Sequence, residues 1–172
     1  INISDTTPIR NLTNLRELQL VAINTSDIKF LTELINLRIL NINSYEISDL
    51  EPIKNLMNLQ SLELAFTQIS NLKPLNGLTN LKQLRLVNVP IQNIKPLESL
   101  TNLEKLELEY LKITDFEPIK GLSNLQELHF RDILIPDLEP LKKLKNLQIL
   151  NVQDCENITD QQIENLQKAL PN

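Results

Sequence analysis

The sequence is poor in residue types on which common functional sites depend. Among its 172 residues there are two glycines, one cysteine, one histidine and no tryptophan. Because Gly77 and Gly121 lie in different parts of the chain, a glycine-rich phosphate-binding loop is not available. A single histidine (His129) and a single cysteine (Cys155) cannot supply a Cys/His zinc site, and one cysteine cannot form an internal disulfide. We therefore expect neither a metal nor a cofactor.

Positive charge and aromatic rings are also scarce. The formal net charge is −5, and the aromatics are four Phe and two Tyr. Nucleic-acid binding requires a basic footprint and stacking groups, so this partner class is excluded. No apolar run approaches the ~20 residues of a membrane span, and no signal peptide is visible, so we expect no membrane insertion. The chain begins at Ile1 and not at Met, which leads us to expect an upstream segment.

Leucine and isoleucine, by contrast, recur with a fixed period. Seven blocks of 22 residues fill positions 3–156, and each contains the pattern Leu-x-x-Leu-x-Leu, with Ile, Phe or Val sometimes in the last place. The seven copies begin at Leu15, Leu37, Leu59, Leu81, Leu103, Leu125 and Leu147. A period of this length predicts stacked repeats that share one continuous core.

Each block predicts a strand followed by a compact return. The Leu-x-Leu alternation is typical of a strand with one buried face. Upstream, the segment Asp49 to Leu56 spaces its apolar residues by three, which favours a tight turn or a 3₁₀ segment over an α-helix. Proline recurs at one offset of this segment and prevents a regular sheet there. The proline positions are Pro8, Pro52, Pro74, Pro96, Pro118 and Pro140.

The pattern, clearest from Ile69 to Leu81, resembles the leucine-rich repeat family and is similar to the 22-residue bacterial internalin type. The resemblance covers the whole chain. It implies an α/β solenoid, a curved right-handed horseshoe with a parallel sheet on the concave face. The convex face would carry 3₁₀ or extended returns. The expected organisation is one domain over 1–172, with repeats at 3–156, a C-terminal helical cap at 157–172 and no N-terminal cap.

Two columns of residues depart from the family pattern or add to it. The family usually has a buried asparagine three residues after the last strand leucine, and here no asparagine remains. That column reads Ile23, Tyr45, Thr67, Val89, Leu111, Ile133 and Cys155. Since apolar groups there gain burial but cannot satisfy the loop backbone, we expect an altered loop with backbone bonds between neighbouring turns.

A second column is all asparagine, and we expect its side chains to bond nearby backbone and to stabilise turns. Its members are Asn14, Asn36, Asn58, Asn80, Asn102, Asn124 and Asn146.

The C-terminal segment breaks the register. Residues 154–160 resemble the cysteine-containing repeat subtype found in F-box-associated proteins, with Asn157 as an extra residue. Thr159-x-x-Gln162 predicts a capping box at the start of a helix. Ile163, Leu166 and Leu170 follow at helical spacing, and Pro171 would close the helix. We interpret Cys155 as a buried small hydrophobe.

The outward strand positions differ between blocks, whereas the inward positions barely vary. We therefore predict a partner-binding surface on the concave face, concentrated in blocks four to six. Tyr and Arg, both present there, are enriched at binding hot spots. The predicted contact residues are Glu63, Phe66, Arg85, Val87, Lys105, Glu107, Glu109, Tyr110, His129 and Arg131. The alternative is a lattice of cross-strand ion pairs that satisfy one another.

His129 is interpreted as a contact residue and not as a catalytic base, since catalysis needs a nucleophile and an orienting carboxylate within reach. Its expected cross-strand neighbours are Glu107 and Asn151. We therefore predict that the chain is not an enzyme.

Three functions are compatible with this surface. The first is a protein–protein interaction module; the resemblance to internalins implies a bacterial surface or secreted protein that engages a host receptor, in preference to a cytoplasmic one. The second is the substrate-recognition part of a larger enzyme, such as a ubiquitin ligase, whose catalytic domain lies outside this chain. The third is a structural spacer.

Overall fold

The computed structural model describes residues 7–170, and these alternate strands with short returns. A short helix, α1 (Thr7–Arg10), precedes the first strand, and a longer one, α2 (Asp160–Ala169), follows the last. The strands are β1 (Glu17–Val21), β2 (Ile39–Asn43), β3 (Ser61–Ala65), β4 (Gln83–Val87), β5 (Lys105–Glu109), β6 (Glu127–Arg131) and β7 (Ile149–Gln153). The 3₁₀ returns are Lys29–Glu33, Glu51–Ile53, Lys73–Leu75, Lys95–Ser99, Glu117–Gly121 and Glu139–Lys143.

The seven strands form one parallel sheet in sequence order. Each residue pairs with its equivalent in the next repeat, so that Leu62 lies beside Leu84 and Leu84 beside Leu106. Leu62, Leu84 and Leu106 all point inward and are almost completely buried. The predicted solenoid, with sheet on one side and 3₁₀ returns on the other, is confirmed.

The returns complete the core from the opposite side. In the third repeat, Ile53 N–H donates to the Leu50 carbonyl at 2.9 Å and Leu56 N–H to the Ile53 carbonyl at 3.0 Å. All three side chains are buried, as the spacing by three predicts. The first return is an exception, because Thr7–Arg10 adopts one α-helical turn where a 3₁₀ or extended segment was expected.

The loop after every strand except β2 depends on a left-handed backbone residue. The residue directly after β3 is Phe66, with φ of 53°, and its N–H donates to the Val87 carbonyl of the next repeat at 2.9 Å. The same conformation and the same bond recur after β1, β4, β5 and β6. The bond extends the ladder by one residue, and the following side chain, such as Thr67, turns into the core. Backbone bonds between neighbouring turns were predicted for these loops, and the prediction is confirmed.

The loop after β2 departs from this arrangement. Ser44 has no left-handed φ; it is buried, and its hydroxyl donates to the Ile23 carbonyl at 3.0 Å. Because Ser44 occupies the buried place, Tyr45 is displaced outward and is 65% exposed. The expectation that this column of residues gains burial is therefore wrong for Tyr45.

The asparagine column forms a ladder between repeats. The Asn80 side chain donates from Nδ2 to the Met57 carbonyl at 2.8 Å, across 23 residues. Equivalent bonds join Asn36 to Thr13, Asn58 to Ile35, Asn102 to Thr79, Asn124 to Thr101 and Asn146 to Ser123. The prediction that these amides bond backbone is confirmed, but the acceptor belongs to the preceding repeat and not to the local turn.

The C-terminal cap begins as predicted. Thr159 Oγ1 accepts from Gln162 N–H at 3.2 Å, and Thr159 N–H donates to Gln162 Oε1 at 2.8 Å, which completes the capping box. Leu166 is buried against the last repeat. The inserted Asn157 is left-handed, with φ of 69°. Cys155 is only half-buried, not fully buried as expected.

Two residues named in the sequence argument, Ile1 and Pro171, lie outside the described part of the chain. Between residues 7 and 170, no helix is long and apolar enough to cross a bilayer.

Candidate functional site

The outward face of the sheet presents a charged cluster at its centre. Arg85, on β4, lies between Glu63 on β3 and Glu107 on β5, because the parallel register places these three residues in one row. The Arg85 Nη1 lies 2.5 Å from Glu63 Oε1, and its Nε lies 3.1 Å from Glu107 Oε2. Its Nη2 donates to Glu109 Oε1 at 2.9 Å.

The carboxylates of this cluster favour the charged form of the Arg85 guanidinium. Partial burial alone would lower the pKa of Arg85, but the hydrogen bond and charge of Glu109, together with Glu63 and Glu107, outweigh it, so the pKa of Arg85 is raised. Since the Arg85 side chain is 38% exposed, solvent screens these pairs and each contributes little to stability. Each guanidinium nitrogen of Arg85 is therefore already hydrogen-bonded to a carboxylate before a partner binds.

A second cluster continues toward β6. Lys105 Nζ lies 3.0 Å from Glu107 Oε1 and 3.2 Å from Glu127 Oε2. The hydrogen bond to Glu107 is the main cause of the raised pKa of Lys105. Lys105, followed by His129, lowers the pKa of Glu127. These contacts are the cross-strand ion-pair lattice that the sequence offered as an alternative.

His129 lies at the edge of this lattice. It pairs in register with Glu107 and Asn151, as expected. Its Nε2, however, lies 3.4 Å from Glu127 Oε2, two residues earlier on the same strand. Among residues 7–170, no three His, Cys, Asp or Glu side chains are grouped to hold a metal ion.

The strand-exit edge of the sheet carries aromatic residues, and we call it the rim. Phe66 and Tyr110 occupy left-handed exit positions, with φ of 53° and 55°. The displaced Tyr45 stands next to Phe66, with ring centroids 5.9 Å apart. The guanidinium of Arg131 lies over the Tyr110 ring, 5.5 Å from its centroid, and such an arrangement favours a cation–π contact.

Arg131 is less completely paired than the other cations of the sheet. Its Nε lies 3.9 Å from Asp154 Oδ2, which is too long for a hydrogen bond. Within the described chain this Nε is buried without a hydrogen-bond partner. Arg131 and Tyr110 together therefore offer a stacked cation–aromatic pair at the rim.

Nine of the ten predicted contact residues lie on the charged lattice or the rim, and the tenth is buried. Charged lattice members are Glu63, Arg85, Lys105, Glu107, Glu109 and His129, and rim members are Phe66, Tyr110 and Arg131. Val87 was predicted to contact a partner, but it is only 4% exposed and offers almost no contact area.

Sequence reasoning missed two members of this surface. Glu127 joins Lys105 to His129, and its signal was its place in the outward column on β6. Tyr45 was assigned to a column expected to be buried, and no periodic signal marks its displacement.

Comparisons with known proteins place these features in a family. A family model described as leucine-rich repeats (two copies) matches residues 79–121. The structure is similar to that of internalin C2 from Listeria monocytogenes, with 38% identity, a TM-score of 0.81 and coverage of 86% of this chain and 66% of the other. The internalin InlF from Listeria monocytogenes is 32% identical, with a TM-score of 0.80 and coverage of 96% of this chain and 55% of the other. A leucine-rich repeat protein of Leptospira interrogans is 25% identical, with a TM-score of 0.76 and coverage of 95% of this chain and 49% of the other.

None of the curated proteins compared with the chain gave a significant match. The chain spans 66% of the length of internalin C2 and 49% of the Leptospira protein. Repeat length, sheet order and these similarities agree. The chain is a leucine-rich repeat protein, and its repeats resemble those of the Listeria internalins.

Proposed function

We propose that this leucine-rich repeat domain binds a protein partner through the concave, outward face of its sheet. The observation that carries the proposal is the contrast between the two faces of the same strands. At the row of Leu62, Leu84 and Leu106 the inward residue is invariant. The adjacent outward row changes from Glu63 to Arg85 to Glu107, although the fold does not require any of these side chains.

The chemistry of this face suits a folded protein partner. Both charge signs alternate over short distances, which gives electrostatic register to a complementary surface. Large exposed side chains, among them Tyr110 and Ile149, add apolar contact area at the same face and its rim. Tyrosine and arginine are the residue types that dominate binding hot spots.

The test compares two variants on an array of purified bacterial and host-cell surface proteins. The concave variant combines Arg85→Gln, Lys105→Gln and His129→Ala, which removes charge without adding bulk. The control combines Glu117→Gln and Lys120→Gln, an exposed ion pair on the return side of the solenoid.

We expect at least one array protein to bind the wild type and the control equally and the concave variant at least ~10-fold more weakly, the change expected from losing a hot-spot contact. Binding of every captured protein at equal strength to all three forms would refute the concave-face assignment. Circular dichroism of each variant checks that the repeats remain folded.

A further inference from the structure

A groove of about 380 Å³ follows the rim from the second to the fifth repeat. Three aromatic side chains line it: Tyr45, Phe66 and Tyr110. It is separate from the charged lattice, since Arg85 and Glu107 line a different depression on the sheet. Among residues 7–170, the ion pairs of the outward sheet face do not extend into this groove.

The backbone at Phe66 and Tyr110 indicates that these rings are not there for folding. Both residues adopt left-handed φ values, which are uncommon for bulky side chains and easier for Asn or Asp. The equivalent exits after β4 and β6 carry Asn88 and Asp132 in the same conformation. The loop therefore forms well with a small polar residue, and strain tolerated without a folding reason points to function.

The third ring, that of Tyr45, lies in the groove because of a separate change in the loop after β2. Ser44 takes the buried place after β2, so Tyr45 turns outward and packs at a tilt of 51° against Phe66. Two independent backbone features thus expose aromatic rings along one edge.

The spacing of the two aromatic exit positions matches one extended conformation. Phe66 and Tyr110 follow β3 and β5, which are separated by one strand. Neighbouring strands lie ~4.8 Å apart, so these two positions are separated by roughly 9.6 Å. A polyproline II segment repeats every three residues over ~9.3 Å, whereas a β-strand repeats every two residues over ~6.6 Å. Residues i and i+3 of a polyproline segment therefore match the spacing of these two exit positions.

Polar groups in the groove complement such a segment. The exposed side chains of Gln68, Asn88 and Gln92 line the groove between the rings. A polyproline backbone has no internal hydrogen bonds, so its carbonyls are free to accept from these amides.

Charge gives the segment a direction. Lys112 is the charged residue that lines the groove, and it lies at the Tyr110 end. Arg131 lies over the Tyr110 ring at the same end. Glu46 is exposed next to Tyr45 at the opposite end. Asp154, 3.9 Å from Arg131, and the exposed Asp132 at the next exit offset the charge of Arg131, so Lys112 is the main group that attracts a carboxylate to the Tyr110 end.

We propose that the groove binds an extended Pro-x-x-Pro segment of a protein partner, with an acidic residue following the second proline. The segment lies along the rim with its prolines on the aromatic rings and its carboxylate beside Lys112 and Arg131. This inference rests on the proposed protein-binding function and gives it a partner chemistry. It concerns a different surface from the concave lattice, so the two proposals can fail separately.

The test uses three labelled synthetic peptides and fluorescence anisotropy. One contains a Pro-x-x-Pro core followed by Asp, the second has Lys in place of Asp, and the third replaces the prolines with Gly and Ser. Phe66→Asn and Tyr110→Asn remove one ring each while keeping a residue that accepts the left-handed exit. Ala22→Asn, at the equivalent exit after β1 and outside the groove, is the matched control.

We expect the acidic proline peptide to bind the wild type and Ala22→Asn equally, and each ring variant about 10-fold more weakly, as for a hot-spot aromatic. Lys112→Gln should reduce the preference for Asp over Lys and leave the proline dependence unchanged. Equal binding of the Gly/Ser peptide, or peptide binding that neither ring variant weakens, would overturn the proposal.

Measuring the same peptides on the concave variant separates the two proposals. If no peptide binds while protein capture still depends on Arg85, Lys105 and His129, the groove assignment alone is wrong. If peptide binding persists while capture does not depend on those residues, the concave-face assignment alone is wrong.

Discussion

The asparagine ladder offers the most direct test of what joins one repeat to the next. Asn80→Ala removes the Nδ2 donor that bonds the Met57 carbonyl at 2.8 Å. A net hydrogen bond contributes about 0.5–1.5 kcal/mol, and water can replace the lost donor because Asn80 is exposed. We therefore expect a loss of about 1 kcal/mol, which corresponds to about 2–4 °C in Tm for a chain of this size.

Asn76→Ala is the matched control. Asn76 lies in the same repeat as Asn80 and is also exposed, but among residues 7–170 its side chain forms no hydrogen bond to another repeat. We expect its Tm to stay within about 1 °C of the wild type, as for an ordinary surface substitution. In the double variant Asn80→Ala, Asn124→Ala the two rungs lie in separate interfaces, so their losses should add.

Urea denaturation followed by circular dichroism measures each free energy of unfolding, with the slope as a check that the native fold is unchanged. If Asn80→Ala were as stable as Asn76→Ala, the inter-repeat bonds would contribute nothing, and the column would have no structural role.

Three other perturbations test the core, the charged lattice and the cap. Leu84→Ala should cost about 2–5 kcal/mol in urea denaturation, and Leu150→Ala, at the same place on the half-covered last strand, should cost clearly less; equal costs would contradict the burial pattern. Because the pKa of Glu127 is lowered from 4.5, its pairing with Lys105 stabilises the fold above that value and is lost as pH falls through the folded pKa. The stability difference between wild type and Glu127→Gln should therefore shrink on titration from neutral to about pH 3, and a constant difference would refute the assignment. Thr159→Ala should cost about 0.5–2 kcal/mol and increase hydrogen exchange in α2, whereas unchanged exchange would mean that the capping box is dispensable.

The sequence predicts the parts of this structure that repeat. The period of 22 residues places Leu84 inward between Leu62 and Leu106, because only that register buries every leucine at once. The capping box at Thr159 and Gln162 was also predictable, since its chemistry is local and the spacing alone brings the two groups together.

The features that the sequence did not predict depend on a single loop or rotamer. Ser44 and Tyr45 are adjacent, and which of them turns inward is decided by one backbone conformation that periodicity does not specify. His129 has the expected cross-strand neighbours in register, but its Nε2 lies closest to Glu127 on its own strand, which the sequence did not predict. Such choices among side-chain conformations differ little in energy and determine the surface, which is where the candidate site lies.

The constant offset between bonded partners has a consequence for how fast the chain can fold. Strand pairs such as Leu62 and Leu84, exit bonds such as Phe66 to Val87, and rungs such as Asn80 to Met57 all connect positions 21 to 23 residues apart. Parallel sheets usually form slowly, because the chain loses loop-closure entropy before the contacts between distant segments can stabilise it. Here every new strand closes a loop of the same modest length onto a template that already exists. Folding can therefore start at any adjacent pair of repeats and proceed in both directions by equal steps.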